Sequence, residues 1–127
     1  MLDPRRPTSA WLTQQCGTGA FSRGSRYFRE RRARLDHCHD DGSGTFKLLG
    51  VCRGNASHPY RQHIEIIDGP VATPELAGFC TCPVGYNCKH VVALVLTWQA
   101  DADAARNSAD RVEAWLAALA ADEEADT

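Results

Sequence analysis

Residues 79–96 read FCTCPVGYNCKHVVALVL, and the order of residues in that stretch decides the fold. Cys80 and Cys82 stand two apart, and on an extended strand such residues point the same way. Pro83 and Gly85 then supply a tight return. Cys88 and His90 also stand two apart, but on a regular helix that spacing would turn them about 200° from one another. Cys88 therefore belongs at or just before a helix start, with His90 in the first turn and Asn87 as the cap. From Val91 the period changes. Val91, Leu94, Val95 and Trp98 fall at i, i+3, i+4 and i+7, one face of a helix. Val92 and Leu96 lie off that stripe, so the helix is apolar nearly all round and is expected to be buried.

The same stretch spells C-x-C-x5-C-x-H, with four donors inside eleven residues. Three thiolates and one imidazole are the soft-to-borderline set that tetrahedral zinc prefers, and with Zn2+ they leave a net charge of about −1. N–H groups at a helix start stabilise such a charge, and Lys89 stands beside it. A disulfide pair is the competing reading, but C-x-C is awkward to bridge locally. A redox dithiol would show C-x-x-C at a helix start, and that spacing is absent. Catalytic zinc needs an open position and a nearby carboxylate base, whereas here protein fills all four positions and the nearest acid on the N-terminal side is Glu75. The expectation is one structural Zn2+ held by Cys80, Cys82, Cys88 and His90, with no catalytic residues.

Upstream, the alternation is that of strands. Ala33, Leu35 and His37 alternate with Arg32, Arg34 and Asp36; the turn signal from Asp40 to Gly44 follows; Thr45 to Cys52 reads as a second strand. Gly54 to Pro59 is another turn. Tyr60, Gln62, Ile64 and Ile66 then alternate with Arg61, His63, Glu65 and Ile67, and Leu76 to Cys82 would be a short fourth strand. Strands joined without intervening helices imply an antiparallel meander. Before them, Phe21 to Arg31 predicts a short helix with Ser22 or Ser25 as N-cap and Tyr27 and Phe28 on its buried side. Residues 1–19, with Pro4, Pro7, Gly17 and Gly19, read as an irregular lead-in anchored by Trp11 and Leu12. Beyond the apolar helix, Val112, Trp115, Leu116 and Leu119 predict a second amphipathic helix capped by Ser108, followed by an acidic end from Asp122 to Thr127. The expected organisation is thus a lead-in (1–19), a zinc-binding domain (20–100), and a linker with C-terminal amphipathic helix and acidic tail (101–127). The fold class is α+β, with a small antiparallel sheet of three to four strands, an N-terminal helix and a zinc clasp leading into a buried helix.

Composition frames these readings. The 127 residues are 43% hydrophobic and 24% charged, enough for a packed core. The longest apolar run, Val91 to Leu96, is far too short to span a bilayer, and the opening MLDPRRPTSAWL lacks the apolar core of a secretory signal. The expected compartment is the reducing cytoplasm, where clustered cysteines hold metal. The net charge of −2 hides a polarity: residues 1–34 carry eight arginines against two acids, and residues 100–127 carry two arginines against eight acids. Arg23, Arg26, Arg29, Arg31 and Arg32, together with Lys89, are the candidate nucleic-acid contacts, although a spacing of three drifts around a helix rather than forming one stripe. Tyr27 and Phe28 read as core rather than base-stacking residues. His37 and His39 share a strand face with Cys38 opposed, which does not converge on a metal. Cys52 reads as a small core residue, Cys16 as a bystander, and His58 (in a turn) and His63 (at a strand edge) as surface residues.

Cys80, Cys82, Cys88 and His90, in the context FCTCP…CKHVVALVL, resemble the SWIM-type zinc finger. Arg23-Gly24, Tyr27-Phe28, the basic first strand, the glycine-containing hairpin and the Tyr60–Ile67 strand look like the N-terminal SWIM module of bacterial Swi/Snf-type helicase-like ATPases, over residues 20 to 100. The finger occurs in such helicase-like proteins, in mutator-type transposases and in some ubiquitin ligases and kinases. The resemblance implies binding of DNA, or of protein, on behalf of a neighbouring catalytic domain. The chain departs from the helicase-like proteins in having no G-x-x-x-x-G-K-[ST] phosphate loop, so ATPase activity does not carry over. The expected partners are DNA or a helicase-like ATPase, with no membrane and no small-molecule substrate. The alternative is a protein–protein adaptor docking through the Val112–Leu119 face.

Overall fold

The structure is a computed structural model that describes residues 9–40, 42, 44–68 and 74–101. In chain order the elements are α1 (Ser9–Cys16), α2 (Thr18–Arg29), β1 (Ala33–Asp40), β2 (Thr45–Cys52), β3 (Tyr60–Ile67), β4 (Glu75–Cys80) and α3 (residues 89–101). The four strands pair antiparallel in the order β1-β2-β3-β4, the meander that short connections impose. This is the α+β arrangement expected from the sequence. The amphipathic helix expected over Val112–Leu119 and the acidic tail lie outside the described residues.

Alternation makes β2 and β3 two-sided. Phe46, Leu48 and Cys52 on β2, with Gln62, Ile64 and Ile66 on β3, turn inward, while Lys47, Leu49, Arg61 and His63 stay exposed. The inward face is covered by α3, whose residues 91–95 are all buried along with Trp98. Val91, Leu94 and Val95 join Leu48, Ile64, Ile66 and Leu76 in the main core, and Ala93 joins Tyr27 of α2 and Cys52 in a second cluster. Burial of a Leu or Val side chain contributes roughly 1.5–3 kcal/mol, so this helix is held by packing rather than by propensity. Glycines let it approach so closely. A Cβ on Gly24 of α2 would lie 2.6 Å from the Lys89 carbonyl oxygen, and one on Gly78 of β4 would run into Val91 Cγ1.

The structure corrects several local expectations. The lead-in is not irregular throughout: Ser9–Cys16 is helical. Trp11 and Leu12 are buried, the Trp11 indole N–H donates to the Pro74 carbonyl at 2.6 Å, and the Gln15 side-chain oxygen accepts the Leu76 N–H at 3.0 Å. Contacts more than sixty residues away in sequence thus fix a segment whose local signals read as broken. Gly17, at φ 95°, is the break and also the N-cap of α2, so Ser22 and Ser25 fall inside the helix and do not cap it. Helix α2 ends at Arg29, because Arg31 turns left-handed (φ 56°) and the N–H groups of Arg31 and Arg32 close on the carbonyls of Phe28 and Tyr27, at 3.0 Å each. A bulge in β1 sets Leu35 opposite Gly50 but His37 opposite Leu49, so His37 leaves the face shared by Ala33 and Leu35. His63 lies on an inner strand, not at an edge, although it remains exposed. Strand β4 stops at Cys80 rather than Cys82. There Cys80 N–H meets the Gly85 carbonyl and Thr81 N–H meets the Arg61 carbonyl, both at 3.0 Å, and the chain turns.

Candidate metal centre

The end of β4, the turn that follows and the first turn of α3 bring Cys80, Cys82, Cys88 and His90 together, with their donor atoms all within 4.8 Å of one another. Cys88 immediately precedes the helix, and its carbonyl accepts the Val92 N–H at 3.1 Å, so the cap position belongs to Cys88. Asn87 does not cap. It sits left-handed (φ 42°), accepts the Gly78 N–H on Oδ1 at 2.8 Å, and donates from Nδ2 to the carbonyls of Leu76 (3.0 Å) and Gln15 (3.3 Å). Asn87 thereby stitches the turn to β4 and α1 and aims Cys88 back at Cys80.

The spacing of the donors suits a tetrahedral ion. Bond lengths near 2.3 Å to sulfur and near 2.0 Å to nitrogen imply S···N edges of about 3.5 Å and S···S edges of about 3.8 Å. His90 Nδ1 lies 3.7 Å from Cys80 Sγ and 3.6 Å from Cys88 Sγ. Cys82, Cys88 and His90 are buried and Cys80 is half-buried. Three sulfurs and an imidazole select zinc over hard cations, and four protein donors leave no position open for substrate, the arrangement of a structural site. The chain is a zinc-binding module with one structural zinc.

The surroundings fix the ligands. The His90 ring packs 4.7 Å from Tyr60 and 5.7 Å from Tyr27, centroid to centroid. Its Nε2, on the side away from the sulfurs, is buried with no hydrogen-bond partner among the described residues, and a Cβ on Gly54 would come within 3.0 Å of it. Hydrogen bonds, from Cys88 foremost and then from His90 and Gln62, pull the Cys80 thiol far below its ordinary value, while the bond to Cys80 together with burial pushes Cys88 up. The other cysteines behave differently. Burial raises Cys16 and Cys52 to about 12, which keeps both as neutral thiols, and exposed Cys38 is raised more modestly, again chiefly by desolvation. His37 and His39 stack at 6.3 Å on β1 with no third donor beside them among the described residues.

The six candidate nucleic-acid residues divide. Arg32, Lys89 and Arg26 gather over the buried Tyr27 ring, at 4.5, 5.2 and 5.7 Å from its centroid. Arg32 also bonds Glu30 at 2.7 Å. Arg23 folds back over Gly19 and lines a cavity shared with Lys89, Cys82, Cys88 and His90. Arg29 is exposed and is not among the cations on that ring. Arg31 lines a different cavity with Thr97 and Asp101, which stand roughly 12 and 18 Å along α3 from Lys89 at 1.5 Å per residue. Sequence reasoning did not single out Gln62 or Tyr60 as neighbours of the site. The available signal was Gln62 itself, a polar residue at an inward position of β3.

No curated protein and no solved structure matches the chain. Among family models, the SWIM zinc finger matches residues 74–99, the stretch that runs from the start of β4 through most of α3 and holds all four zinc donors.

Proposed function

We propose that this zinc-binding module is a non-catalytic, nucleic-acid-binding accessory domain working for a helicase-like ATPase in the cytoplasm. The observation that carries this reading is the convergence of Arg26, Arg32 and Lys89 on Tyr27, whose ring in turn packs against the zinc ligand His90. Zinc fixes His90, His90 and Ala93 help fix Tyr27, and Tyr27 holds three cations in one place. Preorganised cations bind phosphates with less ordering cost than free side chains do. Among the described residues no carboxylate pairs with Arg23, Arg26 or Lys89. Cysteines clustered to hold a metal rather than to pair as disulfides fit a reducing compartment such as the cytoplasm.

The test is titration with duplex DNA at several salt concentrations. Binding should weaken steeply with salt, and the triple change Arg26→Gln, Arg32→Gln, Lys89→Gln should reduce the slope of log K against log salt by about 2–3, near 0.9 per lost phosphate contact. Absent or salt-independent binding at low ionic strength would overturn the reading. A second reading, a protein adaptor, draws on an exposed apolar patch beside β4, where Phe79 is 55% exposed, Tyr86 49% and Val84 73%. Binding that vanishes on Phe79→Ser and Val84→Ser but survives the triple charge change would favour the adaptor.

A further inference from the structure

Gln62 breaks the apolar row Gln62–Ile64–Ile66 on the inner face of β3, yet it is only 3% exposed. Its cross-strand neighbours are Gly50 on β2 and Cys80 on β4. The side-chain amide donates from Nε2 to Cys80 Sγ at 3.2 Å and to its near neighbour Tyr60 O at 3.0 Å, which uses both of its N–H groups. The Oε1 atom is buried and has no partner among the described residues. The amide cannot be turned round, because Oε1 would then face a carbonyl oxygen and a thiolate, two acceptors. A buried acceptor without a partner lowers stability, and a methionine of similar length would avoid that penalty. What Gln62 supplies that methionine would not is a pair of N–H donors, one of which points at a zinc ligand.

Cys80 is also the one donor of the four that is not buried. We infer that Gln62 is a positioning residue of the zinc site: its N–H···S hydrogen bond orients Cys80 and tempers the nucleophilicity of the ligand most open to solvent. Hydrogen bonds from outer residues are a general means of orienting metal ligands and tuning their basicity. The inference concerns the finger itself and holds whichever partner the module binds.

The test uses the zinc-loaded full chain and its Gln62→Met variant, treated with iodoacetamide. The cysteine sulfur forms the new S–C bond and iodide leaves, and peptide mass spectrometry gives a separate rate for Cys80, Cys82 and Cys88. The variant should alkylate several-fold faster at Cys80 relative to Cys82 and Cys88, and its zinc affinity, by competition with a chromophoric chelator, should fall about 10-fold. Equal acceleration at all three cysteines, as from general loosening, overturns the inference, and so does an unchanged Cys80 rate. A measurement on the wild-type chain guards against a variant that fails to fold. With an NMR-active cadmium isotope in place of zinc, the Gln62 side-chain amide proton should show scalar coupling to the metal through Sγ, and its absence would overturn the inference. One bound metal per chain in every sample separates this result from a failure of the zinc site.

Discussion

Cys52 and Cys80 lie on one sheet and inhabit opposite chemistries. Cys52, on β2, is fully buried in a cluster with Tyr27 and Ala93, and burial raises its thiol to about 12. Cys80, at the end of β4, is drawn far below its ordinary value by hydrogen bonds from Cys88, His90 and Gln62. The two thiols mark two ways of ordering a chain. The β2–β3 hairpin is held by many small gains, eight in-register residue pairs and an alternating buried face. The clasp between β4 and α3 is held by four donors, with little regular structure between Cys80 and Lys89. Order spread over many contacts fails gradually, whereas order concentrated in one ion fails when the ion leaves.

Metal removal should expose that contrast most strongly. Zinc binding in small finger peptides is worth on the order of 10 kcal/mol of folding free energy. Chelation should therefore release residues 80–90 and the first turn of α3, while β2, β3 and the later part of α3, anchored by Leu94 and Val95, keep their protection. Amide hydrogen exchange on holo and chelated protein reads this residue by residue. Simultaneous loss of protection in β2 and β3 would mean that the two regions form one cooperative unit. Unchanged exchange throughout would mean that the ion does not organise the clasp.

The two kinds of thiol should also respond to pH with opposite signs. Cys52 has its folded pKa raised, so its contribution to stability is complete below the unfolded value of 9.0 and is lost as pH rises towards about 12. In that window the unfolded chain gives up a proton that the folded chain keeps, and at 1.36 kcal/mol per pKa unit the loss reaches at most about 4 kcal/mol. The zinc-bound thiolates run the other way, because protons compete with the metal as pH falls. Urea midpoints between pH 8.5 and 10.5 should therefore fall with alkali and fall less in Cys52→Val, with the acid limb unchanged. A Cys52→Val protein with the wild-type alkaline slope would remove the distinction between the two thiol environments.

How much of this was legible beforehand follows the same divide. The bounds of β2 and β3 could be read directly, because period-2 alternation and flanking turns are local properties of the sequence. The buried all-round character of α3 and the grouping of the four donors were also legible, since spacing alone constrains them. Three features were not. Helix α1 depends on Trp11 and Gln15 reaching Pro74 and Leu76, contacts that no local window contains. The β1 bulge at Leu35/His37 inverts which side chains face inward after one extra residue, and alternation cannot register such a slip. Asn87 had the composition of a cap but was recruited to bridge β4 and α1, a role set by the turn rather than by the helix.

Asn87 and Arg31 supply the finest comparison, one in the clasp and one at the end of α2. Among the described non-glycine residues these are the two in the left-handed region, at φ 42° and 56°. Conformation alone would favour glycine at both. At Arg31 nothing opposes it: the side chain is exposed and the backbone already closes the helix through the carbonyls of Phe28 and Tyr27. Relief of the left-handed strain, about 1–2 kcal/mol, less the backbone entropy that glycine adds to the unfolded chain, leaves Arg31→Gly a gain of at most about 1 kcal/mol. Asn87→Gly relieves the same kind of strain but deletes a side chain bonded to Gly78, Leu76 and Gln15. Stranding those backbone groups outweighs the relief and should cost about 1–3 kcal/mol, with weaker zinc retention. Chemical denaturation of the two variants, with zinc quantified alongside, should move the midpoint in opposite directions. A stabilising Asn87→Gly would show that the clasp is positioned by its donors alone, with no help from the turn that carries them.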